Sequence, residues 1–248
     1  MVTAARRFDG KAAIVTGGLG GIGLAAARRL ASEGAAVALV DRTSSAEAAQ
    51  GLEALGAPDA LGLAVDVSDE AAVHAACDAV VERFGALDVV VNVAGVMIYK
   101  PLAELTGADW TANLAVNLMG PVHFTANAFR LMRSGGAIVN VASIHAHQTS
   151  PLVAPYAAAK AALLSLTRSA AIEGRAVGIR ANAVLPGAID TEMLRDSPNI
   201  KSGAEVLNPE DIGRPEEVAA AIAFLASDEA SFATGSSFVV DGGRLARL

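Results

Sequence analysis

The 248-residue chain holds one cysteine, one tryptophan and two tyrosines, and only 4% of its residues are aromatic. A lone cysteine closes no internal disulfide, which fits a reducing interior. Cys77 shares an apolar helical stripe with Val73, Val80 and Phe84, which assigns it to packing, not to nucleophilic chemistry. Charged residues are also few, at 18%, and the balance is acidic, −7 at neutral pH. No segment offers the basic stripe that a phosphate backbone requires, so a nucleic-acid partner is excluded. Long unbroken apolar runs are missing as well. The most membrane-like stretch, Ala154–Ile172, carries Lys160 and Arg168, as expected of a helix in a large core or a subunit interface. Arg6-Arg7 precedes an apolar run, Ala12–Thr16, that is too short for an export signal. His74 and His123 have no partners at ligand spacing, so no metal site is expected. These absences describe a soluble, cytoplasmic protein.

What the chain does have is apolar residues, 53% of the total, arranged in a regular alternation. Continuous runs of strand length occur at Ala12–Thr16, Ala36–Val40, Leu61–Asp66, Val89–Val93, Ala137–Ala142, Ile179–Leu185 and Ser237–Val240. Unbroken runs of this kind suit a parallel sheet covered on both faces. Helical patterns lie between them at Ile22–Glu33, Asp69–Phe84, Asp109–Met132, Pro155–Glu173 and Pro215–Ala226, with Ser68 as the expected N-cap of the second. The pattern predicts an α/β protein: a single Rossmann domain spanning 1–248, with a doubly wound parallel sheet of about seven strands and helices on both faces. The one long segment without a period, Asp190–Arg214, is the candidate lid over a substrate.

The first strand runs into Thr16-Gly-Gly-Leu-Gly-Gly-Ile-Gly23. Gly17, Gly20, Gly21 and Gly23, with Leu19 and Ile22 between them, allow a tight turn. They also let a pyrophosphate approach the backbone at the start of the next helix. No lysine stands where a nucleoside triphosphate loop needs one. Asp41, eighteen residues past Gly23, ends the second strand. A carboxylate there accepts the ribose hydroxyls of an adenosine and repels a 2′-phosphate, which favours NAD over NADP. Arg42 beside it could instead cover the adenine or reach a phosphate.

Residues 143–160, SIHAHQTSPLVAPYAAAK, concentrate the remaining chemistry. Tyr156 and Lys160 stand one helical turn apart and share a face, with Pro155 in the first turn. A nearby ammonium and a positive nicotinamide ring would draw the tyrosine, ordinarily at ~10, down towards a working base. Ser143 follows a strand, where open α/β sheets place ligands, and can donate to a developing alkoxide. Serine beside His145 and His147 suggests a hydrolase, but the glycines of a nucleophile elbow are missing around Ser143. His145 is either a wall of the substrate pocket or an ordinary loop residue.

With these motifs in place, the chain resembles the short-chain dehydrogenase/reductase family from nearly end to end. Thr16–Gly23 resembles the family's cofactor turn, Asp66-Val67 its adenine-contacting pair, and Asn92-Val93-Ala94-Gly95 its NNAG segment. Asn117, Ser143, Tyr156 and Lys160 match its catalytic tetrad in order and spacing. Pro186-Gly187, with Ile189 and Thr191, matches the segment that holds the nicotinamide carboxamide. Val93 replaces an asparagine that normally ties neighbouring strands. The resemblance implies an NAD-dependent enzyme interconverting a secondary alcohol and its ketone, with a polar substrate such as a sugar or cyclic diol favoured. It also implies that Lys160 holds the nicotinamide ribose and that the chain forms a homotetramer. A 3-oxoacyl-thioester reductase and a non-catalytic NAD-binding redox sensor are the alternatives. Asn117 permits one further step. Pro121, four residues on, has no N–H to give the Asn117 carbonyl, so the helix should kink there and leave that carbonyl open to the water relay of the family's lysine.

Overall fold

Strand-forming runs built of Val, Ile, Leu and Ala define the sheet. The strands are β1 (Ala12–Thr16), β2 (Ala36–Asp41), β3 (Ala60–Ala64), β4 (Val89–Asn92), β5 (Gly136–Val141) and β6 (Ile179–Pro186). A short β7 (Ala188–Ile189) pairs with β8 (Ile212–Gly213), and β9 (Ser237–Val240) returns to the edge of the main sheet. The computed structural model describes residues 6–43, 46–133, 135–203 and 205–247. Among them the seven-stranded sheet runs β3-β2-β1-β4-β5-β6-β9, with every neighbouring pair parallel. The order reverses between β1 and β4, which opens a crevice at the carboxyl ends of the strands.

Both faces of the sheet are covered. On one lie α1 (Gly21–Ser32), α2 (Ala46–Glu53) and α9 (Pro215–Ala226), packed on Val15, Val37, Leu39 and Val91. On the other lie α3 (Glu70–Phe84), α5 (Gly120–Leu131) and α6 (Ala154–Gly174), packed on Ile14, Val40, Val90 and Ile138. Alternate residues of each strand supply the two faces, which is why the strands read as continuous apolar runs. Cys77 is fully buried in the second layer, and burial pushes its thiol up to about 12. None of the helices among the described residues is long and apolar enough to cross a membrane.

The expected elements form, with four differences. Ser68 is not the cap of α3: Asp69 is, its carboxylate accepting the Ala72 N–H at 3.0 Å, while Ser68 turns back to donate to Asp66. The serine hydroxyl is taken up by Asp66, and the aspartate one residue later supplies the cap with a charged acceptor. A helix, α2, lies where no apolar stripe announced one; it buries only Ala49 and Leu52. The expected helix over Asp109–Met132 is three pieces: α4 (Gly107–Leu114), a π-helical turn at Ala115–Met119, and α5. Finally, Asp190–Arg214 is not a plain loop. It contains α7 (Glu192–Arg195), α8 (Pro198–Lys201) and β8, elements too short to show a period.

Candidate active site

The crevice at the strand reversal is a cavity of about 920 Å³. Its walls come from the ends of β1, β2, β4, β5 and β6 and from the Asp190–Arg214 segment. Of the expected cofactor contacts, Gly17, Leu19, Gly20, Gly21, Ile22, Gly23, Asp41, Arg42, Asp66 and Val67 line it. So do Ala94, Gly95, Tyr156, Lys160, Pro186, Gly187, Ile189 and Thr191. Asn92 does not. Its side chain is 2% exposed and donates to Asn140 at 2.8 Å, behind the wall.

The glycine turn fits a dinucleotide on structural grounds. Helix α1 starts after Gly20 with no side-chain cap and no acidic residue in its first turn, so its leading N–H groups remain available at the positive end of the helix. Gly17 has φ +64°, and a Cβ on Gly23 would lie 2.0 Å from the Gly17 carbonyl oxygen. Only glycine permits that approach. At the rim, the Asp41 carboxylate accepts the Leu19 and Arg42 N–H groups at 3.1 and 2.8 Å, which fixes its charge beside the turn. Two bonds from Ser68 hold the Asp66 carboxyl below the usual carboxylate range.

Deeper in, three side chains converge. Ser143 lies two residues beyond β5, and Tyr156 and Lys160 lie on the first turns of α6. Val153 begins the helix without a side-chain cap, and Pro155 occupies the opening turn where no N–H is needed. The Ser143 hydroxyl accepts the His145 N–H at 3.1 Å and lies near enough to Tyr156 to favour its ionised form. Lys160 Nζ donates to the Val141 carbonyl at 2.9 Å and stands 5.5 Å from the Tyr156 ring centroid. Burial dominates both titrations. It pushes Tyr156 up to about 12, against Ser143, which pulls it down, and pushes Lys160 down to about 8. In the chain alone desolvation leads, with Tyr99 adding to it and Ser143 opposing it; the positive nicotinamide ring that the expectation also invoked is not one of the chain's own groups.

A stability prediction follows. Below pH 8 Lys160 is charged both folded and unfolded, and the fold carries the full penalty of burying it. Between about 8 and 10.5 the folded state sheds its proton first and the penalty fades. Lys160→Met should therefore stabilise the free protein at pH 7 by on the order of 2 kcal/mol, after the lost bond to Val141 is subtracted. Thermal melts at pH 7 and pH 10 check it: the gain should shrink at the higher pH. A variant less stable than the parent at pH 7 contradicts it.

Asn117 does not line the cavity; it is fully buried behind it. Its carboxamide clasps Val96 like a strand, accepting the Val96 N–H at 3.2 Å and donating to the Val96 carbonyl at 2.8 Å. That pins the segment after β4, including Gly95, which abuts both Asn117 Oδ1 and Lys160 Nζ. In the π turn the Gly120 N–H goes to the Ala115 carbonyl, and Pro121 has none to offer Asn117. The anticipated break is present as a π turn, and the Asn117 carbonyl lacks its usual i+4 donor. Val93 costs no strand tie: Thr16 Oγ1 accepts both the Val93 and Ala94 N–H groups, at 3.0 and 3.1 Å, while the valine side chain joins the core.

His145 lines the cavity with its ring edge-on to Tyr156, centroids 5.9 Å apart. Its Nδ1 lies 3.1 Å from Thr149 Oγ1, and burial holds its pKa below the ordinary value. Several wall residues had no sequence signal, among them Tyr99, Leu152, Met193, Glu205 and Arg244. Leu152, with φ +71°, is the one non-glycine in the left-handed region among the described residues. Its carbonyl accepts the Lys100 N–H at 2.9 Å.

Fold and site together define a Rossmann-type oxidoreductase that uses a nicotinamide cofactor. A family model described as "Enoyl-(Acyl carrier protein) reductase" matches residues 17–244. The cis-4-hydroxycyclohexanecarboxylate dehydrogenase of Sinomonas cyclohexanicum is 43% identical, covering 95% of this chain and 97% of its own. The D-threitol dehydrogenase of Mycolicibacterium smegmatis is 39% identical, over 96% and 94%. A short-chain dehydrogenase of Burkholderia cenocepacia, solved in complex with NADP, superposes with a TM-score of 0.87 at 37% identity, over 95% and 98%. The chain belongs to the short-chain dehydrogenase/reductase family.

Proposed function

We propose that the chain is an NAD-dependent dehydrogenase acting on a polar secondary alcohol. The observation that carries this is the meeting of Ser143, Tyr156 and Lys160 on one cavity wall, with the Lys160 ammonium 5.5 Å from the tyrosine ring, next to a glycine turn shaped for a dinucleotide. The two curated relatives, named for a hydroxylated ring acid and a polyol, support a polar substrate.

The bound nicotinamide supplies the hydride acceptor and, when oxidised, a positive charge. Tyr156 takes the proton of the substrate hydroxyl. Ser143 turns its one proton to the same oxygen when the substrate is bound, while a lone pair of its hydroxyl accepts the His145 N–H. Lys160 would hold the cofactor ribose and, through a water seated on the Asn117 carbonyl, pass the proton from Tyr156 on to solvent. The Asp190–Arg214 segment closes over the substrate and excludes water; Asn199 already ties it to the Pro151 carbonyl at 3.1 Å. Exposed apolar residues, Phe224 and Phe238 side by side with Val239 next to them in β9, and Met119 and Ile172 elsewhere, support assembly as a homotetramer.

Asp41 decides the cofactor in this reading. The parent should use NAD at least tenfold more efficiently than NADP, and Asp41→Ser should shift that ratio towards NADP by roughly two orders of magnitude, about 3 kcal/mol. Rates of cofactor reduction with each dinucleotide, on a panel of polyols and cyclic hydroxy compounds, test both the preference and the reaction. A parent that prefers NADP overturns the assignment.

A further inference from the structure

Among the charged side chains of the cavity that the chemistry just described leaves unused, two face each other. Glu205 reaches in from the Asp190–Arg214 segment, and Arg244 from the stretch after β9. They form an ion pair, with side chains 22% and 17% exposed. Arg244 has a fixed mount. Its N–H donates to the Asp241 carbonyl at 3.1 Å, and the Asp241 carboxylate accepts the Gly243 and Leu245 N–H groups at 2.8 and 2.6 Å. Asp241 in turn packs on Gly187, where a Cβ would fall 2.8 Å from the Asp241 Cα. Glu205 is mounted on a segment of one-turn helices, through a backbone bond to Asn199 at 2.9 Å. They line the same cavity as His145, whose ring meets Tyr156, and after burial they are the charges that act on it, Glu205 raising its pKa and Arg244 lowering it.

A guanidinium sunk in a ligand cavity must be neutralised, and Glu205 does this with a carboxylate. A ligand carboxylate offers the same two oxygens to the same planar fork, whereas a neutral hydroxyl does not match its charge. We propose that Arg244 reads a carboxylate group on the substrate, and that Glu205 is its exchangeable partner, displaced when an acidic substrate enters. The substrate class is then a secondary alcohol that also bears an acid group. This rests on the alcohol-oxidising reading of the same site.

The two carboxylates compete for one guanidinium, so the two variants have opposite signs. With cofactor present, calorimetry should show the parent binding cyclohexanecarboxylate at least about tenfold more tightly than the neutral cyclohexanecarboxamide. Arg244→Gln should abolish that preference. Glu205→Gln should tighten carboxylate binding about fivefold, because the competitor is gone while Arg244 keeps its mount. A purely structural ion pair would give equal weakening of both ligands in both variants, and that result overturns the proposal, as does a parent without preference. Cofactor reduction with 4-hydroxycyclohexanecarboxylate and with cyclohexane-1,4-diol separates this from the parent reading. If Arg244-dependent carboxylate binding holds while neither compound is oxidised, the proposed alcohol-oxidising reading falls and the recognition stands. If the diol is oxidised and the carboxylate preference is missing, the reverse is true.

Discussion

Tyr156→Phe is expected to lower kcat by at least roughly 10³-fold while cofactor affinity stays within about threefold. The variant removes one oxygen. The ring keeps its edge-on contact with His145 at 5.9 Å, and Ser143 keeps the His145 N–H, so the pocket retains its shape. What disappears is the buried hydroxyl that accepts the substrate proton in this reading. The pH profile provides a second reading of the same role. Burial holds Tyr156 up at about 12 in the chain alone, and a positive nicotinamide is the charge that opposes it. Oxidation by the parent should therefore climb with pH through the alkaline range, since the base works deprotonated, and the residual activity of the phenylalanine variant should not follow it. Stopped-flow reduction of NAD between pH 7 and pH 10 measures both. A variant that keeps a tenth of the parent rate contradicts the assignment of Tyr156 as base.

Gly23→Ala is expected to abolish useful cofactor binding, raising Kd by at least roughly a hundredfold, and to lower the melting temperature by several degrees. The added methyl would sit 2.0 Å from the Gly17 carbonyl oxygen and 2.7 Å from its carbon, both backbone atoms that cannot rotate away. Relief requires α1 or the turn to move by about an ångström, and overpacking of that kind costs about 1–3 kcal/mol or more. The same displacement carries the free N–H groups of the first turn away from a pyrophosphate. Gly51→Ala is the control: its methyl meets nothing within 4 Å in α2, and replacing a helical glycine should stabilise by about 0.5–1 kcal/mol. NADH fluorescence titration and thermal melts on both variants decide the matter. Retention of affinity within threefold by Gly23→Ala would show that the turn does not need this approach.

The sheet was legible because each buried strand of a doubly wound fold leaves an unbroken apolar run, and all seven are visible in the chain. The glycine turn and the Tyr156–Lys160 pair were legible for a related reason: both are local patterns, set by the geometry of one turn and one helix. The wall residues were not. Tyr99, Glu205 and Arg244 come from segments without a period, and they line one cavity because the stretches after β4 and β9 and the Asp190–Arg214 segment lie on the same side of the sheet. The break at Asn117 lay between these cases. Pro121 announced a missing donor, but whether the helix kinked or widened into a π turn depended on how Asn117 could reach Val96.

From its own residues the chain determined a parallel α/β architecture, a dinucleotide-shaped turn, an acidic residue at the end of β2, and a serine, tyrosine and lysine in the right order. Each of these rests on spacing within one element, where period and stereochemistry act over a few residues. Tertiary structure alone decided the rest: the depth to which Tyr156 and Lys160 are buried, hence the opposite directions of their pKa values, and the pairing of Arg244 with Glu205 near His145. Desolvation and ion pairing depend on what surrounds a group in space, and in this fold those surroundings come from segments up to a hundred residues apart.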